Sequence, residues 1–475
     1  MRVLSLLSST ALLLPALTTA RPAGFEQTVL STASSLEDLD LDLGVLSVPR
    51  DEPETGTGHL SQWSVQNKEA FLDALRNNSA GDWIIVQGNE GGDLDSLVSA
   101  LALSYVYTHQ PEPQKAVALL QTEEDALDLR PENPLALHYA RMSSGHRDLL
   151  TLDELPMKPE EVSRRIRGIA LVDHNVPRSM WAEAEVVAII DHHDDRGIAN
   201  GTANPRIIER SGSCSSLIAR YMLDQLPGAL TSTDEDNALH GPIPKELIEL
   251  ILRTVAVDTS GLKKKSRQPV DWESAERIFP RSSWRNRDFK TSMKLLDKDM
   301  SASRKALDTL DVRSLSQLRR DWKGDAIPTK SSKYPSISLG FASAPVSLEE
   351  QIKRTPEGTA PEWFAIERAW TSEIQADVSV ALTNFHADDG EKYRQLAVVV
   401  AHGYGKRLHE GSANRLFRAI VNAVEESGVE GMVKWKRPDG KKLLPRRAVW
   451  QYQSDTASRK FWRPVIEKSV REWKG

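Results

Sequence analysis

A single cysteine, Cys214, stands in 475 residues, so no disulfide can close within the chain. No Cys/His cluster has zinc-finger spacing either, and the fold must be held by packing. Also missing is any excess of positive charge. The 61 Lys and Arg face 67 Asp and Glu, a formal net charge of -6. That balance gives no general reason to expect a polyanion and argues against a nucleic-acid coat protein. The long apolar run Val3–Leu17 falls short of the ~20 residues a membrane span needs. There are no internal repeats. Gly88–Gly92 lacks a Gly-Lys-Ser/Thr ending and Gly403-Tyr404-Gly405 is too sparse, so a P-loop is excluded. What remains is ordinary globular composition, 40% hydrophobic and 27% charged, with length enough for two domains.

Arg2, the apolar run and the small residues Thr18 and Ala20 before Arg21 have the three-part layout of a secretory signal peptide over residues 1–20. Secretion or an extracellular destination is the expectation, with no membrane attachment once the leader is cut. The sequons at Asn77 and Asn200 are compatible with that route. Residues 21–60 lack a sustained apolar period and are rich in Ser, Thr, Asp, Glu, Pro and Gly, which reads as a flexible acidic lead-in. Charge is unevenly spread: beyond about residue 400 basic side chains outnumber acidic ones roughly two to one, so an anionic substrate would be met there.

Folded structure is expected from near Gln62. Apolar runs at Trp83–Gln87, Ile169–Val172, Val186–Ile190 and Arg206–Ile208 alternate with helical patterns at Leu97–Tyr107, Ser216–Leu226 and Lys245–Ala256. This is the signature of an α/β domain built on a mainly parallel sheet, with helices on both faces, over residues 61–290. A cut is expected near 285–300, in the polar stretch Arg281–Lys290. A smaller mixed α/β domain follows over 291–475, with strands near Ile337–Phe341, Ala376–Asn384 and Gln395–Ala401 and a helix over Ser412–Glu426.

Strand Trp83–Gln87 runs into Gly88-Asn89-Glu90-Gly91-Gly92-Asp93-Leu94-Asp95-Ser96 and then a helix. Asp93 and Asp95 thus lie just beyond the carboxyl end of a strand, where open α/β sheets place ligands and where two carboxylates can reach two neighbouring cations. Such acids also serve as helix caps. Ile169–Val172 ends in Asp173-His174-Asn175, and Val186–Ile190 delivers Asp191-His192-His193 to the same sheet edge. Carboxylate and neutral imidazole suit Mn²⁺, Co²⁺ and similar ions. Asp258 closes the otherwise apolar segment Leu252–Val257. Four apolar segments ending in acids would repel one another unless cations neutralised them.

These four motifs, in this order, resemble those of the DHH phosphoesterases, over roughly Trp83 to Ser260. Thr456-Ala457-Ser458-Arg459-Lys460 resembles the Ser-Arg-Lys signature of family II pyrophosphatases and exopolyphosphatases. The Gly-Gly-His loop of the nuclease branches has no counterpart; His409-Glu410-Gly411-Ser412 is a poor one. Gly212–Ser216 and Leu318–Lys323 also look like the exopolyphosphatase pattern, with Cys214 as packing.

The resemblance implies two divalent cations, Mn²⁺ or Mg²⁺ with Co²⁺ as a further option. One would be held by Asn89, Asp93, Asp173 and Asp258, the other by Asp95, Asp173, His192 and Asp258. His193 would face the substrate phosphate, and Lys323, Arg459 and Lys460 would clamp it across an interdomain cleft. Asn89 stands where the pyrophosphatases have histidine, a feature similar to eukaryotic exopolyphosphatases; its harder amide oxygen makes Mg²⁺ more acceptable. The implied activity is release of terminal phosphate from linear polyphosphate, and the resemblance implies a cytoplasmic location as the alternative to the secretory one. Pyrophosphate or nucleotide hydrolysis is the alternative within the superfamily, and a non-catalytic secreted binding protein the alternative outside it.

Overall fold

The computed structural model describes residues 56, 58–127, 129–143, 147–226, 243–305, 322–344, 346–387, 390–401, 408–437, 439–454 and 456–475. The leader, most of the acidic lead-in, residues 318–321 and Gly403–Gly405 lie outside the described residues. Among the described residues no helix is long and apolar enough to cross a membrane.

The first sheet has six strands: β1 Trp83–Gln87, β2 Lys115–Leu120, β3 Leu150–Thr151, β4 Gly168–Val172, β5 Val186–Asp191 and β6 Arg206–Ile208. Their order is β3-β2-β1-β4-β5-β6, and every pairing is parallel. β1 and β4 are buried along their whole length because the sheet is covered on both sides. Alternate residues feed two separate cores. Ile84, Val86, Ala170, Val172, Ala188 and Ile190 join one, with helices Leu94–His109, Cys214–Gln225 and Lys245–Asp258. Trp83, Ile85, Ile169, Leu171 and Ile189 join the other, with helix His59–Arg76 through Phe71, Leu72 and Leu75. Helix Phe289–Lys305 belongs to the first core through Met293, Leu296 and Met300. That core therefore runs past residue 290, because the charges of the 281–290 stretch precede an amphipathic helix instead of a linker.

Strand order reverses between β1 and β4, whose loops leave in opposite directions and open a crevice at the carboxyl edge. The β1 loop carries Asn89, Asp93 and Asp95; the β4 loop carries Asp173; β5 ends in Asp191.

The second sheet contains β7 Trp322–Pro328, β8 Ser336–Ala344, β9 Val378–Thr383, β10 Phe385–His386, β11 Lys392–Val400, β12 Val433–Lys434 and β13 Arg447–Tyr452. The order is β12-β13-β11-β9-β8-β7, with β10 beside β11; β8 and β9 are parallel and the other pairs antiparallel. Helices Glu410–Glu425 and Arg459–Glu472 pack on one face through Leu416, Ile420, Trp462 and Ile466. Helices Leu348–Lys353 and Ala360–Glu373 cover the other through Leu348, Trp363 and Phe364. The sequence reading of a mixed α/β second unit agrees with this.

Candidate metal centre and phosphate cleft

The β1 loop is built for close approach. A Cβ on Gly88 would lie 2.8 Å from Ser96 Cβ, and Gly92 has a left-handed φ of 54°. Three side chains from outside the motif hold its carbonyls: Gln121 Nε2 donates to Gly88 O at 2.7 Å, Arg130 Nε to Gly91 O at 2.8 Å and Asn133 Nδ2 to Gly92 O at 2.8 Å. Asp93 then caps helix Leu94–His109, accepting from Ser96 N at 3.0 Å.

Asp173 occupies the centre. It is 2% exposed and has a left-handed φ of 60°, a conformation Asp tolerates better than most residues. Its Oδ2 accepts from Asn89 Nδ2 and Ser96 Oγ, both at 2.6 Å. Its Oδ1 lies 3.1 Å from His192 Nε2 and 3.8 Å from His193 Nδ1. Asn89 Oδ1 meanwhile accepts from Gly91 N at 2.8 Å.

Both histidines are fixed from behind. His192 Nδ1 donates to Ser211 O at 3.1 Å, which directs Nε2 at Asp173. His193 Nδ1 donates to Asp191 Oδ1 at 2.8 Å, leaving Nε2 as its remaining nitrogen. Asp191 also accepts from Asn175 Nδ2 at 2.5 Å and His192 N at 2.8 Å. Burial alone would raise the Asp191 carboxyl, but these bonds and the His charges hold it down at about 2. Asp191 is a residue the sequence reading quoted without a role. It orients His193, and only the Asp-His-His motif itself could have signalled that.

Asp95 is buried under helix Cys214–Gln225. Its carboxylate accepts from Cys214 N at 2.6 Å, Ser215 N at 2.8 Å, Ser215 Oγ at 2.6 Å and Ser213 Oγ at 2.9 Å. It thereby satisfies the first turn of that helix, a role not read from sequence, although Gly212–Ser216 had been singled out. Burial and then the Asp173 charge push Asp95 up to about 6. Cys214 is buried, its Sγ donates to Ile190 O at 3.3 Å, and burial raises its thiol; it packs as expected.

Asp258 closes a helix, Lys245–Asp258, where the other acids follow or end strands. It nevertheless meets them. One cavity of about 220 Å³ is lined by Asn89, Asp93, Asp95, Asp173, His192, His193, Gly212 and Asp258 from the first unit and by Lys323 and Arg459 from the second. Lys460, next in sequence to Arg459, is exposed and does not line it.

The donor set fits divalent cations. Asp173, His192 and His193 offer atoms all within 4.8 Å of one another. Burial would lower His192, yet the Asp173 hydrogen bond and the Asp173, Asp95 and Asp191 charges raise it to about 10, so a proton is drawn into the position a cation would take. A histidine held by a backbone carbonyl on one nitrogen and aimed at a carboxylate with the other is arranged as metal ligands are.

Residues 83–254 match the model of the DHH family, N-terminal domain. Over this stretch the chain is similar to the DHH family. Similar proteins include a provisionally named exopolyphosphatase of Schizosaccharomyces pombe, 30% identical over 53% of this chain and 64% of its own length. Exopolyphosphatase PRUNE1 of Mus musculus is 27% identical over 67% of this chain and 63% of its own. A probable manganese-dependent inorganic pyrophosphatase of Archaeoglobus fulgidus is 23% identical over 41% of this chain and 55% of its own. The chain thus spans less than two thirds of the length of these relatives. The first unit contributes all the acids and histidines of the cavity, Asp258 among them just beyond the matched stretch, and the second unit its Lys and Arg.

Proposed function

We propose that this protein is a metal-dependent phosphoanhydride hydrolase that releases terminal phosphate from linear inorganic polyphosphate. The observation that carries this reading is the two-sided cavity: carboxylates and imidazoles from one unit, Lys323 and Arg459 from the other. The names of the similar proteins support it in the same direction.

Asn89, Asp93, Asp173 and Asp258 would hold one divalent cation and Asp95, Asp173, His192 and Asp258 the second, Mn²⁺ or Mg²⁺. Bound cations would supply hydroxide at neutral pH and offset phosphoryl charge. The chain's own residues do the rest. Asp191 keeps the His193 Nδ1 proton in place, so that Nε2 can take or share a proton with a phosphate oxygen. Arg459 can pair two phosphate oxygens with its planar fork, and Lys323 adds a point charge. Both offset charge that builds on the equatorial oxygens during in-line displacement. Passage of the chain through the secretory pathway, expected from residues 1–20, is part of the proposal.

Pyrophosphate hydrolysis is the second reading, favoured by the likeness to the Archaeoglobus fulgidus protein. Phosphate release from polyphosphate, pyrophosphate and a nucleoside triphosphate, each with Mg²⁺ and with Mn²⁺, separates the readings. Turnover of pyrophosphate alone would replace the polyphosphate reading. No release from any of the three would defeat both.

A further inference from the structure

We infer that a basic band on the first unit, beside the cavity, holds the distal part of a long polyphosphate chain whose end occupies the cavity. This rests on the hydrolase reading above and adds to it a second subsite that sets chain-length preference.

The band begins where Asp258 ends its helix. Ser260, Gly261 and Leu262 follow with left-handed φ values of 52°, 68° and 61°. The turn is tied back by Thr259, whose Oγ1 accepts from Leu262 N at 3.0 Å and whose carbonyl accepts from Lys263 N at 3.0 Å. Lys263, Lys264 and Lys265 are thrown to the surface, all exposed. The loop stays against the cavity wall: a Cβ on the cavity-lining Gly212 would lie 2.7 Å from Ser266 O.

On its other side the turn rests on helix Phe289–Lys305, where a Cβ on Gly261 would lie 2.9 Å from Lys294 Cα. Trp272 joins the two segments, with the Arg267 guanidinium 4.4 Å and the Lys290 ammonium 5.5 Å from its ring centroid. Lys263, Lys264, Lys265, Arg267, Lys290 and Lys294 therefore form one continuous surface in a chain of net charge -6. Among the described residues none of the six forms an ion pair. Asp288 lies among them, and its carboxyl is held below the usual range by Thr291 first and then by Lys290 and Lys294.

Six cations without an ion pair among the described residues, continuous with the cavity, suit a flexible, closely charged polyanion. Nucleic acid is the less favoured occupant because base stacking needs an open aromatic face. The large hydrophobic side chains exposed among the described residues are Val176, Val433 and Leu444, and Trp272 is already covered by Arg267, Lys290 and the Phe289 ring.

The test uses the full chain with Lys263→Ala, Lys264→Ala and Lys265→Ala combined, assayed on tripolyphosphate and on long-chain polyphosphate. KM for the long chain should rise roughly tenfold, and binding of long-chain polyphosphate to metal-free protein should weaken in parallel. Tripolyphosphate kinetics should stay within about twofold, since that substrate does not leave the cavity. The matching Lys→Arg triple variant should behave as the parent.

An unchanged long-chain KM overturns the inference, as does equal loss on both substrates by the Ala and Arg variants alike. Loss of single-stranded RNA binding with polyphosphate kinetics intact would assign the band to nucleic acid and overturn it too. If the parent protein hydrolyses neither substrate, the hydrolase reading fails separately, and the band is judged by metal-free polyphosphate binding alone.

Discussion

Arg463 Nη2 donates to Asp325 Oδ2, joining helix Arg459–Glu472 to strand β7. Asp325 follows Lys323 by two residues along a strand, and Arg463 follows Arg459 by four along a helix, so each pair shares a face. The ion pair is thus the rung beside the one formed by Lys323 and Arg459, the two cations that line the cavity.

Arg463→Ala should let Lys323 and Arg459 drift apart. Because the pair is partly exposed, its worth is modest, and we expect kcat/KM to fall by about three- to tenfold with Mn²⁺ affinity unchanged. Arg459→Ala should cost more, about a hundredfold, again without loss of metal. Steady-state kinetics beside metal titration decides the matter; lost metal affinity in either variant would mean the units do not divide their roles as described.

Asp173→Asn should abolish turnover, by at least about 10²–10³-fold, because it removes charge from the central acid, whose Oδ1 lies 3.1 Å from His192 and 3.8 Å from His193. Asp258→Asn should do the same. Circular dichroism should show the fold retained in both, since Asn keeps the shape and at position 173 tolerates the left-handed backbone. Near-normal turnover in either variant would break the two-cation assignment.

Asn89→His should tighten Mn²⁺ and move preference away from Mg²⁺, imidazole being the better ligand for the later cation. Asn89 bonds through its amide to Asp173 and Gly91, so a histidine also releases those bonds. Titration of both metals into the variant is the check, and an unchanged Mn²⁺ to Mg²⁺ ratio would place Asn89 outside the coordination sphere.

Metal affinity should rise with pH through about 6. Burial raises Asp95 from 3.8 to about 6, so its contribution to folding is present below 3.8 and lost as pH climbs through 6. A cation must displace that proton, which costs affinity on the acid side. Calorimetric Mn²⁺ binding between about pH 5 and 7, in buffers of different ionisation heat, should report proton release that falls by about one towards the upper end, where the His192 proton is still displaced. A flat profile would remove Asp95 from the ligands.

Much of the site was readable because strands β1, β4 and β5 are short apolar runs broken by acids, and a parallel sheet puts all such breaks on one edge. Asp258 was found by the same rule although a helix carries it. What stayed hidden was what depends on distance along the chain. Gln121, Arg130 and Asn133 hold the β1 loop from 33 to 41 residues away. Nothing in their own neighbourhood marks them. Strand β7 was also missed: its ladder is on one side only, and Gly324, Asp325 and Pro328 dilute the apolar signal. The 281–290 stretch misled for another reason, since its exposed charges Arg285, Asp288 and Lys290 lead straight into a helix whose apolar stripe, Met293, Leu296 and Met300, begins just beyond.

The left-handed backbone at Asp173 narrows what can ever occupy that position. Sterics there pass glycine, asparagine and aspartate with little strain and tax every other side chain by about 1–2 kcal/mol. Coordination of a shared cation, where it is required, passes only an acid of the right reach. Two filters of unrelated origin overlap on one amino acid, so a search by random substitution at this codon should return aspartate alone among active clones, and the inactive clones should sort by thermal stability according to backbone preference.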